Sequence, residues 1–158
     1  MPQERIFVGI DVAKDRLDVH VLDGEVCAVA NSCTGRHQLA ARLTALPGQV
    51  AAGLEASGGY ETPVLQALAT AGIAVWRLDA GRVRAFGRSM GAKAKLVLRP
   101  ASGTGGTDAI DAAVIARCLK ATIDTVPAWQ PDPEIARLAT LVRFRSRLAA
   151  KLAALKAR

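Results

Sequence analysis

The first thirty residues carry three short apolar segments joined by turn chemistry, and this spacing restricts the start of the fold to an antiparallel meander. Arg5 to Val12 (RIFVGIDV) is a near-continuous apolar run with β-branched residues, which predicts a buried strand. Arg16 to Leu22 (RLDVHVL) alternates Leu17, Val19 and Val21 against Asp18 and His20, which predicts a half-exposed strand with Asp18 and His20 facing water. Asp23-Gly24 is a hairpin signal, and Glu25 to Ala30 supplies the third strand. The period then becomes helical. Gly35 to Leu46 places Leu39, Leu43 and Leu46 on one face and stops at Pro47-Gly48. Val50 to Glu55 reads as a short strand ending in an acid, and Ser57-Gly58-Gly59 as a loop. Pro63 opens a helix through Leu65, Leu68 and Ala69 that Gly72 ends. Ile73 to Leu78 is another strand, and Arg82 to Met90 a basic helix.

Leu96 to Thr107 contains Pro100 and Ser102-Gly103-Thr104-Gly105-Gly106 and reads as a loop. Thr107 is placed to cap a helix from Asp108 to about Leu119. Pro127, Pro131 and Pro133 mark a linker, after which Asp132-Pro133-Glu134 opens a final helix as cap, first-turn proline and first-turn acid. Leu138, Leu141, Leu148, Leu152 and Leu155 form a heptad-like seam interrupted by Arg145. It predicts the start of a coiled coil and association of identical chains through it; the plainer reading is an amphipathic helix packed on its own domain. The pattern reaches Arg158 without a C-cap signal, so a longer protein is expected. Up to the proline-marked linker the element order, β-β-β-α-β-α-β-α-α, is the ribonuclease H-like order: an α/β fold with a mixed sheet and flanking helices. Its first strand lies centrally, with the fourth as a parallel neighbour. The domain is expected over residues 1–125, with linker and helix over 126–158.

Composition narrows the setting. The 158 residues are 51% hydrophobic, enough for one domain with a core. No apolar run approaches the ~18 residues of a membrane span, and Met-Pro-Gln-Glu-Arg lacks the layout of a signal peptide. With only Cys27, Cys33 and Cys118, no disulfide framework is expected, and the setting is read as cytoplasmic. The net charge of +7 is split unevenly. Residues 1–75 hold 5 Lys/Arg and 8 Asp/Glu, whereas residues 76–158 hold 16 Lys/Arg and 6 Asp/Glu. A basic second half suits a phosphate backbone.

Four acids stand where acids are unusual. Asp11 lies in a strand that reads as buried on both faces, and Glu55 ends a strand after five uncharged residues. If these strands are parallel neighbours, the two acids share one end of the sheet. Asp108 and Asp111 are three apart at a helix start and so lie on one helical face. Four converging carboxylates repel one another unless cations fill the site. Oxygen-only ligands select hard cations, Mg²⁺ first with Mn²⁺ as substitute. Two such ions ~3.5–4 Å apart can clamp a scissile phosphate.

Arg77, Arg82, Arg84, Arg88, Lys93, Lys95 and Arg99 form a basic run, read as a surface for the backbone of DNA or RNA. Lys14, three residues past Asp11, and Arg143 and Arg147 on the final helix join this set. Other signals are weaker. Glu61 suits a helix start, Tyr60 a packing role, and His20 an exposed strand position. Cys27, Cys33 and His37 lack a fourth zinc ligand. Gly103-Thr104-Gly105-Gly106 lacks the Gly-Lys-Ser/Thr of a phosphate loop.

Gly9-Ile10-Asp11-Val12-Ala13-Lys14-Asp15, Leu54-Glu55-Ala56-Ser57-Gly58-Gly59-Tyr60 and Thr107-Asp108-Ala109-Ile110-Asp111-Ala112 together resemble the N-terminal domain of insertion-sequence 110 family DEDD transposases, relatives of the Piv-type DNA invertases. The resemblance covers roughly residues 5–158. It implies a RuvC-like domain with Asp11, Glu55, Asp108 and Asp111 as the acidic tetrad. It also implies DNA transposition by strand exchange guided by a structured RNA, a coiled-coil segment, and a C-terminal domain with a serine nucleophile. Two departures stand out. The serine domain is absent from these residues, and Leu96 to Gly106 (LVLRPASGTGG) separates Lys95 from Thr107, where the family runs lysine directly into Thr-Asp. The alternative function is a non-catalytic nucleic-acid-binding module or degenerate copy. An actin-like ATPase is disfavoured because Val12-Ala13-Lys14 follows the first-strand acid where such a nucleotide loop wants Gly-Thr.

Overall fold

The computed structural model describes residues 4–91 and 107–156, with side chains described for residues 4–91 and 111–156. Strands β1 (Arg5–Val12), β2 (Arg16–Val21), β3 (Val26–Ala30), β4 (Gln49–Glu55) and β5 (Ala74–Leu78) form one sheet in the order β3-β2-β1-β4-β5. The meander is antiparallel, with Val8 opposite Val21 and Val12 opposite Leu17. β4 lies parallel to β1, pairing Gly9 with Gly53 and Ile10 with Leu54, and β5 lies parallel to β4. The central first strand and its parallel fourth neighbour are the arrangement expected from the element order.

The hairpin forms at Asp23-Gly24, but Asp23 rather than the glycine takes the left-handed conformation, at φ 61°. Aspartate tolerates that region because its short side chain bonds locally. Helix α1 (Cys33–Thr44) is capped by Ser32, whose Oγ accepts from the Gly35 N–H at 3.1 Å. Helix α2 (Thr62–Thr70) carries Pro63 in its first turn and is followed by Gly72 at φ 79°. Helix α3 (Ala80–Ser89) is capped by Asp79, whose Oδ1 accepts from the Arg82 N–H at 2.8 Å. Helix α4 spans Thr107–Thr122 and so already includes Thr107, the residue expected to cap it. Helix α5 (Pro133–Lys156) opens beneath the Asp132 carboxylate, which accepts from the Glu134 and Ile135 N–H groups.

The sheet is covered on both faces. Val8, Ile10, Val12, Leu17, Val19, Ala52 and Leu54 meet Leu39 and Leu43 of α1 and Val64, Leu65 and Leu68 of α2. On the other face, Ala51, Trp76 and Leu78 meet Val83 of α3 and Ile115, Cys118 and Leu119 of α4. The second face decides two expectations. Asp18 and His20 were predicted to face water. The structure instead buries Asp18 to 5% exposure and half-buries His20, because α4 packs over β2 as well as β1. Asp18 is satisfied there by Arg16, whose Nε and Nη2 both reach its carboxylate, the shortest distance being 2.7 Å. Burial and the Arg117 charge hold the His20 imidazole below its ordinary pKa.

The plainer reading of the final helix is also corrected. Along α5 no residue is buried, and its apolar seam from Leu138 to Leu155 stays exposed. The preceding segment is tied down: the Trp129 N–H donates to the Val75 carbonyl at 2.7 Å, and Trp76 Nε1 donates to the Val126 carbonyl at 3.1 Å.

Candidate active site

Two glycines set how closely helix and sheet approach. A Cβ on Gly9 would sit 1.9 Å from the Ala112 carbonyl oxygen and 2.5 Å from the Ala116 nitrogen, so the α4 backbone rests directly on β1. Gly53, beside Gly9 in the next strand, leaves room for Leu119 and Ile115. Strand side chains alternate faces, so Asp11 and Glu55, each two residues further, lie on this same α4-facing side. Ile10 and Leu54 are register partners, which brings Asp11 and Glu55 side by side at the carboxyl end of the parallel pair.

Helix α4 runs antiparallel to β1 above this row. Lys120 Nζ stands 6.0 Å from the centre of the Phe7 ring, while Ala116 and Ala112 lie over Gly9. One helical turn advances about 5.4 Å and two strand residues about 6.6 Å. The backbone at position 108, one turn before Ala112, therefore stands at the level of Asp11. Asp111 is exposed on the same early part of α4. The side chain of Asp108 lies outside the described residues. Among those that are described, no three His, Cys, Asp or Glu side chains group closely enough to hold a metal ion.

Electrostatics mark this end of the sheet. The Glu55 carboxyl is pushed above its ordinary range, first by burial, against which the Arg84 charge acts, and further by the negative charges of Asp111 and Asp79. β4, α3 and α4 thus converge on one acidic corner with an arginine beside it. A divalent cation suits this donor set, which is all oxygen and whose partly buried member is disfavoured as an anion until a positive charge arrives.

The other predicted residues scatter. Lys14 is exposed in the turn directly after β1, at the same end as Asp11. Arg82, Arg84 and Arg88 are exposed on α3, and Arg143 and Arg147 on α5. Lys93, Lys95 and the segment Leu96–Gly106 lie outside the described residues. Arg77 leaves the basic run: it points to the opposite face of β5, with Nη2 3.0 Å from Glu61 Oε1.

Sequence reasoning missed two buried acids. Asp18 is the register partner of Asp11 and faces α4 with it. Glu61 does more than begin a helix. It is fully buried, and its Oε2 accepts from the Ser57 N–H (3.1 Å), the Ser57 hydroxyl (3.1 Å) and the Gly59 N–H (2.8 Å). Burial alone would raise its pKa. The N–H donors of its own residue, Ser57 and Gly59, with the Arg77 charge, outweigh burial and hold the carboxyl below its ordinary range. The available signal was an acid between a Gly-Gly turn and Thr62-Pro63, where the turn leaves N–H groups to be satisfied. Tyr60 is 49% exposed rather than packed.

A central strand, a parallel neighbour carrying a second acid, and an antiparallel helix across both make this a ribonuclease H-like domain of RuvC type. Two solved structures are similar to it. RuvC of T. thermophilus in complex with a Holliday junction substrate matches at a TM-score of 0.56 and 17% identity, covering 80% of this chain and all of that one. A second structure of Thermus thermophilus RuvC matches at 0.53 and 18% identity, covering 78% and 99%. No curated protein matches the chain. The model of the DEDD_Tnp_IS110 family, described as Transposase, matches residues 8–158, and the chain belongs to that family. Its general work is DNA transposition and recombination. Among the described residues, no helix is long and apolar enough to cross a membrane.

Proposed function

We propose that this chain is the metal- and nucleic-acid-binding domain of a DEDD transposase, acting in phosphoryl transfer on DNA. Asp11, Glu55, Asp108 and Asp111 are its catalytic acids and the ligands of Mg²⁺, with Mn²⁺ as substitute. The observation that carries this reading is the side-by-side placement of Asp11 and Glu55 under the first turns of α4, with the Glu55 carboxyl disfavoured as an anion. Held by these carboxylates, divalent ions would supply Lewis-acid stabilisation of the charge that develops in phosphoryl transfer. The chain's own residues do the rest. The β1 and β4 backbones fix two carboxylates in register. The α4 backbone, seated on Gly9, carries the other two to the same level. Arg84, beside Glu55, and the exposed Arg82 and Arg88 draw the phosphate backbone to this corner, with Lys14 on its other side.

Lys93 and Lys95 are assigned to nucleic-acid binding by their place in the basic run, and Arg143 and Arg147 by theirs on α5. A structured guide RNA, assembly of identical chains through α5 and a cytoplasmic setting complete the reading. The exposed seam supports the assembly, since burying apolar area between copies is favourable.

The test is Mn²⁺ and Mg²⁺ binding by calorimetry and thermal shift. The wild type is expected to gain several degrees with either ion, and D11N or D108N to lose the gain. A wild type indifferent to both ions, yet still binding DNA, would leave the non-catalytic module as the function.

A further inference from the structure

The connection from β4 to α2 is unusual in what holds it. The Ala56 N–H donates to the Leu78 carbonyl, which is the last sheet-type bond after Glu55. Gly58 and Gly59 then take left-handed conformations, at φ 70° and 106°. From there the turn is gathered around one carboxylate. Glu61 Oε2 takes three donors from Ser57 and Gly59, while Oε1 faces the Arg77 guanidinium of β5 in a contact too misaligned to be a hydrogen bond. Burying an ionised side chain completely is expensive unless it is paired and hydrogen-bonded, so Glu61 keeps its charge only while these groups stay gathered around it.

What it organises is open surface. A Cβ built on Gly58 or Gly59 would meet nothing within 4 Å, so space is open beside the backbone there; Gly58 is exposed, Gly59 partly so, and the neighbouring Tyr60 ring is half exposed. This turn begins two residues after Glu55, at the acidic end of the sheet. We propose that Glu61 is a positioning residue, which holds the Ser57–Tyr60 turn in one shape as a rim where a DNA strand lies as it passes Glu55. Bare glycine backbone lets a sugar-phosphate chain come close, and the Tyr60 ring offers an apolar face beside it. A turn already ordered before binding spares the complex the entropy of ordering it. The inference rests on the nucleic-acid reading above and deepens it.

The experiment is fluorescence anisotropy of a labelled DNA oligonucleotide with the whole chain, in EDTA and at about 50 mM salt, where backbone contacts are strong. Simple charge counting says that removing an anion, as in E61Q, tightens DNA binding. Positioning says the opposite: E61Q weakens it about five- to tenfold by unfastening the turn. Gly59→Ala changes no charge but strains the left-handed backbone, and it carries the same expectation if E61Q fails to fold. Val64→Ala, buried in the same helix, lowers the melting temperature without removing any bond of the turn and binds DNA as the wild type does. Wild-type or tighter binding by E61Q, or an equal loss in Val64→Ala, overturns the inference. A wild type that does not bind DNA removes the parent reading and this inference with it.

Discussion

Gly9→Ala tests whether contact between β1 and α4 holds the acidic corner together. The added Cβ would lie 1.9 Å from the Ala112 carbonyl oxygen and 2.5 Å from the Ala116 nitrogen. Both are helix backbone, which cannot swing aside as a side chain can. Reaching ordinary contact of ~3.4 Å requires α4 to lift by about 1.5 Å. Overpacking of this kind destabilises by about 1–3 kcal/mol. For a chain of this size that lowers the melting temperature by roughly 3–10 °C. In the proposed metal site the lift also moves the α4 backbone at positions 108 and 111 away from β1 and β4, and supporting changes around a metal weaken its binding by about 10–100-fold. Gly53→Ala is the matched comparison. The three atoms nearest its Cβ belong to the side chains of Leu119 and Ile115, at 3.2–3.4 Å, where a shift of a few tenths of an ångström suffices, so the expected loss is below about 1 kcal/mol. Melting curves with and without Mn²⁺, and calorimetric titration, read both quantities. If Gly9→Ala melts and binds Mn²⁺ like the wild type, or no worse than Gly53→Ala, the close-contact argument is wrong.

Glu61 gives a pH signature. Its folded pKa is depressed, so the stability it contributes is complete above the unfolded carboxylate value of about 4.3 and is lost as pH falls through the folded value. The melting-temperature gap between wild type and E61Q is therefore expected to be widest at neutral pH and to close below about pH 4; a gap constant across the range refutes the assignment. Paired Leu141→Glu and Leu148→Glu substitutions, on a helix that buries nothing within the described chain, are expected to shift sedimentation toward the single chain and to remove any concentration dependence of the melting temperature. Unchanged sedimentation of an assembled wild type would remove α5 as the contact.

The order of strands and helices was legible because each rests on nearby residues. Alternation marked β2, Asp23-Gly24 marked the hairpin, and Pro63 and Gly72 bracketed α2. The parallel pairing of β1 with β4 followed from that order, and with it the neighbourhood of Asp11 and Glu55. Asp18 shows where such reading stops. Its alternation was read correctly, but the side assumed to be water is under α4, a helix about ninety residues away in sequence. Glu61 fails differently. Its sequence neighbours suggest a helix start, while its role comes from turning back onto Ser57 and Gly59.

By itself, then, the sequence determined the elements, their order and the exceptional placing of acids in strands and at a helix start, since periodicity, caps and turn residues act over a few positions. Only the tertiary structure decided which faces are dry, which acids are sheltered and that α5 buries none of its residues against the described part of the domain. Those outcomes depend on how closely distant backbones can approach, as Gly9 and Ala112 do, and no local pattern encodes that distance.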